Sequence, residues 1–386
     1  MQCLAAIIQG TALESGSFDM RKVLIAGASG LVGYAAACAF IDAGWQVIAV
    51  SRRIPPGLET AICLPLNLRD PTQIQSLEPH LDGLSHVVYA ALYEKEDLIA
   101  GWQDQEQMTI NLAMLQHLMD YLFLKANIKH LSLLQGTKAY GSHLGPIPIP
   151  ARERLPRHPH ANFYWLQEDY LKAKRSDLAS TKPWYLTILR PQVIFGESTG
   201  SAMNSIPAIG VYAAVLKDQG EDLHFPGGPQ RVFQAVDADM LGRVCVWAAT
   251  SQAARDEVFN VNNGEPMAWE SVWPAIADAL GMDPGRAKPM CLAEAMPKRQ
   301  AQWAALVDRF SLKSPKDLNQ FVGLSFQYTD RNMAYGMENN PPPLSIVSGV
   351  KLNQAGFTEL VDTEMMFRRF FKRFQDLELI PPKDWT

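Results

Sequence analysis

The sequence predicts an α/β fold: a doubly wound parallel sheet in the first half, joined to a mostly helical C-terminal cap. Three observations carry this. Short apolar runs alternate with helical patterns from residue 23 to about 190, the pattern of strands buried on both faces by crossover helices. The first run, Val23-Leu24-Ile25-Ala26, opens directly into Gly27-Ala28-Ser29-Gly30-Leu31-Val32-Gly33. After Pro191 the alternation fades, and from Trp269 helical spacing dominates.

The elements follow in order. A helix from Leu31 to Ala43 is ended by Gly44, and Gln46 to Val50 is the second strand. Ala61 to Leu66 and His86 to Ala90 are the third and fourth. Trp102 to Leu124 has helical spacing, with Leu112, Leu115, Leu118 and Leu122 on one face. Ile128 to Leu134 is a fifth strand, Asn162 to Leu178 an amphipathic helix, and Trp184 to Leu189 a sixth strand. Beyond these, Asn204 to Gln219 and Asp237 to Ala249 read as helices, with short strands at Gln230 to Ala235 and Val258 to Val261. Helical segments then break near Pro284, Pro315 and Pro341-Pro342-Pro343, the last read as a stiff surface connector. Residues 21–200, with 232–265 returning, form the sheet domain; 201–231 and 266–386 form the cap. Residues 1–20 are expected to be a disordered extension ahead of it.

Composition narrows the function. The 386 residues are 47% hydrophobic with net charge -5, enough for a large core and opposite in sign to the basic surface of a nucleic-acid binder. Cys3, Cys38, Cys63, Cys245 and Cys291 show no paired metal spacing and suit a reducing cytoplasm. No metal site is expected, and His143, His158 and His160 are read as loop residues. No apolar run reaches membrane-spanning length.

The glycine turn carries chemistry. Gly27 permits a tight turn, Gly30 lets backbone approach a pyrophosphate, and Gly33 lets the helix pack against the strand. The helix N-terminus behind Ser29, Leu31 and Val32 offers amides and a positive dipole end to phosphates. This is a Rossmann dinucleotide site. Ser51-Arg52-Arg53 closes the second strand where an acidic residue would bind the ribose 2′-hydroxyl of NAD; two arginines suit a 2′-phosphate, hence NADPH. Asn67 and Leu68, Ala90 and Ala91, Gln135, and Pro191, Val193 and Ile194 end later strands and are assigned to the same cofactor.

Two tyrosines compete for the catalytic role. Tyr170 with Lys174 has the spacing of most short-chain dehydrogenases, which puts both side chains on one helix face. Tyr164 has Glu168 where the lysine would stand, yet it lies 26 residues before Arg190, against 20 for Tyr170. Asn162-Phe163-Tyr164-Trp165-Leu166-Gln167-Glu168-Asp169 closely resembles the N-F-Y-Y-x-x-E-D segment of the progesterone 5β-reductase and iridoid synthase family of extended, atypical short-chain dehydrogenases/reductases. Gly136-Thr137-Lys138-Ala139-Tyr140 matches that family's G-x-K-x-Y turn, where its lysine resides.

The resemblance continues through Met203-Asn204, Val211-Tyr212-Ala213-Ala214, Asp237-Ala238-Asp239 and Phe259-Asn260-Val261-Asn262-Asn263-Gly264. It implies an NADPH-dependent reductase of activated C=C bonds acting on a small apolar enone. Tyr164 would stabilise the enolate, Lys138 would assist, Phe163 would line the substrate pocket, and Asn204 would either line it or cap its helix. Homodimers among such relatives leave a homodimer open here. Two other functions compete. A nucleotide-sugar epimerase or dehydratase would use Tyr170 and Lys174 with a basic pocket in the cap, where Arg368-Arg369 is the one visible arginine cluster. A non-catalytic NADPH-sensing protein would need neither tyrosine.

Overall fold

The computed structural model describes residues 21–95 and 100–385; the expected N-terminal extension lies outside them. Seven strands form the central sheet: β1 (Lys22–Ala26), β2 (Gln46–Ser51), β3 (Ile62–Pro65), β4 (Leu84–Tyr89), β5 (His130–Leu134), β6 (Tyr185–Pro191) and, after three short strands, β10 (Val258–Val261). Their order is β10-β6-β5-β4-β1-β2-β3, and every neighbouring pair is parallel. The order reverses beside β1, so the strand ends diverge there and leave a crevice at the carboxyl edge.

Alternation along the strands explains the layering. Leu24, Ala26, Ile48, Val50, Leu131 and Leu133 point to one face, where α2 (Gln105–Lys125) and α3 (Phe163–Leu178) cover them. Val23, Ile25, Val47, Ala49 and Val88 point to the other, under α1 (Leu31–Asp42) and α5 (Ala238–Thr250). The last two helices pack closely: a Cβ at Gly242 would lie 2.4 Å from the Ala35 carbonyl oxygen.

The remaining chain builds the cap. β7 (Val193–Phe195) and β9 (Phe233–Asp237) pair in parallel, and β11 (Pro266–Met267) joins β9 antiparallel; β8 (Leu223–Phe225) pairs with β12 (Pro284–Ala287). Around them lie α4 (Ser205–Asp218), α6 (Trp269–Ala279), α7 (Leu292–Ala295), α8 (Gln300–Phe310), α9 (Leu318–Phe321), α10 (Ser325–Asn332) and α12 (Thr363–Asp376), while α11 (Val350–Gln354) packs on β10 of the central sheet. Helix α4 is buried almost all round, and Trp269, Trp273, Phe370 and Phe371 are core residues of this layer. Residues 341–345 have no regular structure, as expected of a connector, but Pro342 to Ser345 line the cleft rather than only bridging the surface.

Candidate active site

A cleft of about 940 Å³ runs along the carboxyl edge of the sheet, beneath the cap. Its first end is the glycine turn. Gly27 has φ 87°, a left-handed conformation, and a Cβ there would sit 2.8 Å from the backbone of Ala90 and Ala91. A Cβ on Gly33 would lie 2.1 Å from the Gly27 carbonyl oxygen. Only glycine allows the turn and helix α1 to meet this way. Gly30 caps α1 without a side-chain hydrogen bond, and no acidic residue occupies the first turn. The helix therefore presents open amides and a positive end to the cleft, a cradle that fits a pyrophosphate.

Every residue assigned to the cofactor lines this cleft except Gly33, whose part is the close packing just described. The Ser51 hydroxyl donates to the Arg53 carbonyl at 2.5 Å, shaping the turn that extends Arg52 and Arg53. Arg69, unmarked in the sequence analysis, stands nearby with its guanidinium 4.7 Å from the Tyr93 ring centre. Asn67 also forms a local turn, its side-chain oxygen accepting from the Arg69 amide at 3.2 Å. The Gln135 side-chain oxygen Oε1 accepts from Arg190 Nε at 2.9 Å, and its Nε2 donates to the Tyr164 carbonyl at 3.4 Å.

The second end holds the chosen catalytic pair. Asn162 caps α3, accepting from the Tyr164 amide at 3.0 Å, while its own amide donates to the Lys138 carbonyl at 3.3 Å. One side chain thus joins the lysine turn to the tyrosine helix. Phe163, Tyr164 and Trp102 form a buried aromatic wall, with Tyr164 ring centres 4.7 Å from Phe163 and 5.4 Å from Trp102. Among the described residues the Tyr164 hydroxyl makes no hydrogen bond. Burial, and then the charge of Glu94, push its pKa up, so it stays protonated and able to donate.

Lys138 lies over the face of Trp102, its ammonium 3.5 Å from the ring centre. Burial pulls the ammonium down to about 8, opposed by Glu94 and assisted by Arg331. Glu94 accepts from Trp102 Nε1 at 3.1 Å, and its own pKa is raised by burial. Sequence reasoning missed Glu94 and Trp102. They belong to no sequence motif, and only folding sets them against the lysine.

One expectation needs correction, and the residues of the competing epimerase reading fall outside the cleft. Asn204 is fully buried and does not line the cleft; it caps α4, and its amide donates to the carbonyls of Gly196 at 2.8 Å and Ser198 at 3.2 Å. Tyr170 and Lys174 also stand outside the cleft. The Tyr170 hydroxyl donates to Asp120 at 2.9 Å and Lys174 pairs with the same carboxylate at 2.6 Å, which ties α3 to α2. Arg368 and Arg369 pair with Asp278 and Asp237, so that cluster is structural. The cap arginines that do reach the cleft are Arg231 and Arg331.

Phe163, by contrast, lies in the cleft wall. His143 also lines the cleft, while His158 and His160 sit in the loop behind it, 2.8 Å apart through their Nδ1 atoms. No cluster of His, Cys, Asp and Glu among the described residues could hold a metal ion. No helix among them is long and apolar enough to cross a membrane.

Known proteins resemble the chain at two levels. The UDP-glucose 4-epimerase of Thermotoga maritima, solved with UDP-glucose, superposes with a TM-score of 0.63 over 92% of this chain and 99% of its own, at 15% identity. That likeness shows the fold. The 3-oxo-Δ(4,5)-steroid 5β-reductase of Arabidopsis thaliana is 30% identical, covering 78% of this chain and 80% of the relative. The (S)-8-oxocitronellyl enol synthase of Antirrhinum majus is 27% identical over 93% and 92%. The model of the PRISE-like Rossmann-fold domain matches residues 71–381. The chain therefore belongs to the PRISE-like Rossmann-fold family, the progesterone 5β-reductase and iridoid synthase-like group that its lysine turn and its N-F-Y segment resemble.

Proposed function

We propose that the chain is an NADPH-dependent oxidoreductase that reduces activated C=C bonds by 1,4-addition to enones. The observation that carries this is the Tyr164 hydroxyl. It is kept neutral in an aromatic wall of the same cleft as the glycine turn, unpaired among the described residues, with Lys138 anchored beside it on Trp102. The two similar reductases named above support the reaction class. Arg52 and Arg53, at the end of β2, would hold a 2′-phosphate, and the open amides of α1 the pyrophosphate.

NADPH, when bound, supplies a hydride for the substrate β-carbon. As that bond forms, the C=C electron pair shifts toward the carbonyl, and negative charge gathers on the carbonyl oxygen. Tyr164 donates a hydrogen bond to that oxygen. It is preorganised, so no reorientation is needed as charge develops. Lys138 adds positive potential at the same end while protonated, and the aromatic wall keeps the dielectric low. Nothing here demands a proton relay along the tyrosine's own helix, which accounts for Glu168 at the position where a lysine commonly stands.

A panel of cyclohexenone and cyclohexanone, followed by NADPH absorbance, and UDP-glucose, followed by chromatography of the sugar nucleotide, tests the reading. Consumption with the enone alone is expected. Turnover of the ketone or the sugar nucleotide, with none of the enone, would overturn it.

A further inference from the structure

The charges lining the cleft do not balance. Among the described residues they comprise six cations, Arg52, Arg53, Arg69, Lys138, Arg231 and Arg331, against one carboxylate, Glu94. The proposed cofactor phosphates account for the first three, which follow β2 and β3. The other three remain at the end where the enone would react. The charge of Arg331 reaches both Lys138 and Arg231, and Tyr328, also lining the cleft, is within reach of the charges of Arg231 and Glu94.

The cap wall here also has unused donors. Arg231 precedes β9, with its guanidinium 5.4 Å from the Phe233 ring centre. One of its terminal nitrogens donates to the Asn332 side-chain oxygen at 3.2 Å, while its Nε is buried without a hydrogen-bond partner. Asn332 ends α10 and is 3% exposed. Its carbonyl accepts from Trp269 Nε1 at 3.3 Å, yet its amide nitrogen is also buried without a partner. No ion pair to Arg231 or Arg331 occurs among the described residues. Buried donors without acceptors, here Arg231 Nε and the Asn332 side-chain nitrogen, are costly, whereas Arg331 is exposed and adds its charge to this wall from the solvent side. A ligand that brought anionic oxygens to this wall would satisfy both.

We propose that the substrate carries, besides the reacting enone, an anionic oxygen group, a carboxylate or a phosphate monoester, held at the cap wall by Arg231, Arg331 and the Asn332 amide. The guanidinium fork matches both groups. The enone half of this ligand rests on the reductase reading; the anionic half rests on the cap wall. The site is thus two-sided, with an aromatic wall at Phe163, Tyr164 and Trp102 for the enone and a cationic wall opposite. A wholly apolar enone, the ligand implied by the sequence resemblance, would leave the cationic wall unpaired.

Calorimetric binding to the full chain, with and without NADP⁺, tests this without turnover. The probes are 7-oxooctanoate, its methyl ester and 6-oxoheptyl phosphate. At least one anion is expected to bind about tenfold or more tightly than the ester, and the tighter of the two identifies the group. Arg231→Gln and Arg331→Gln should each narrow the ratio, and added salt should weaken the anion while sparing the ester. Equal affinity for ester and anions in the unaltered chain would overturn the inference, as would a preference that both variants and high salt leave intact. NADPH oxidation with 7-oxooct-5-enoate and with its methyl ester, both enones, is read separately. Its absence sinks the reductase reading, whereas matched affinities of ester and anions sink this one.

Discussion

At the residue scale, the chemistry turns on which phenol faces the substrate. Tyr164→Phe removes the single donor proposed for the enolate oxygen and should lower kcat for enone reduction by about 10²–10³-fold. Tyr170→Phe removes a hydrogen bond to Asp120 on the outer side of α3 and should leave kcat within about twofold, since surface changes away from a site are small. Steady-state kinetics of both variants decide it: a loss confined to the second would reverse the assignment. Arg52 and Arg53 are exposed just after β2, and the one carboxylate lining the cleft among the described residues, Glu94, sits against Trp102 at the other end. Replacing both by alanine should weaken NADPH by about tenfold or more and NADH little, which fluorescence titration with each dinucleotide would show. Glu168 illustrates how a residue can be legible in identity and illegible in role. Its carboxylate is buried and gripped by Lys172 at 2.6 Å, Arg157 at 3.2 Å and Arg190 at 3.8 Å. It is a structural anchor of α3 where spacing alone suggests a broken catalytic motif.

At the scale of elements, the site depends on how helix ends meet strand ends. Asn162 caps α3 and at the same time holds the carbonyl of Lys138. Asn162→Ala should cost about 1 kcal/mol of stability from the lost cap. It should also reduce kcat more than Asn204→Ala, which removes a comparable cap from α4 outside the cleft. Denaturant midpoints and kcat, measured side by side, separate the two effects. The strands and their helices were legible because each is a short apolar run or a 3.6-residue pattern of local origin, and the glycine turn because its spacing is local too. The second wall was not. Arg231 and Arg331 are far apart in the chain and meet only because α10 folds back against the segment preceding β9, so no window of sequence contains both. Asn204 was misjudged for a related reason: a capping asparagine and a pocket asparagine look alike until the carbonyls of Gly196 and Ser198 are seen to take its amide. Glu94 and Trp102 carry no motif that marks them as partners, and they meet Lys138 only in the fold.

At the scale of the whole molecule, the sheet also responds to acid. His86 on β4 and His130 on β5 are pulled down by burial to about 4 and about 3. Both are below the ordinary value near 6.5, so the fold favours their neutral forms. Between the two limits the unfolded chain binds more protons than the folded one, and stability rises with pH. The contribution is fully present above about 6.5 and is lost as pH falls toward 4. Thermal unfolding midpoints from pH 7.5 to 4.5 should therefore fall, and a His86→Gln/His130→Gln variant should show a shallower slope. A fall as steep in that variant would place the sensitivity elsewhere. The order of the sheet has a further consequence, for synthesis. Strand β6 ends at Pro191, but its neighbour β10 begins only at Val258, 67 residues later. At about 5–20 residues per second, β6 emerges from the ribosome about 3–13 s before the strand that covers its flank. Until then the nascent chain carries an open apolar border, and slow translation between residues 191 and 258 would lengthen that exposure.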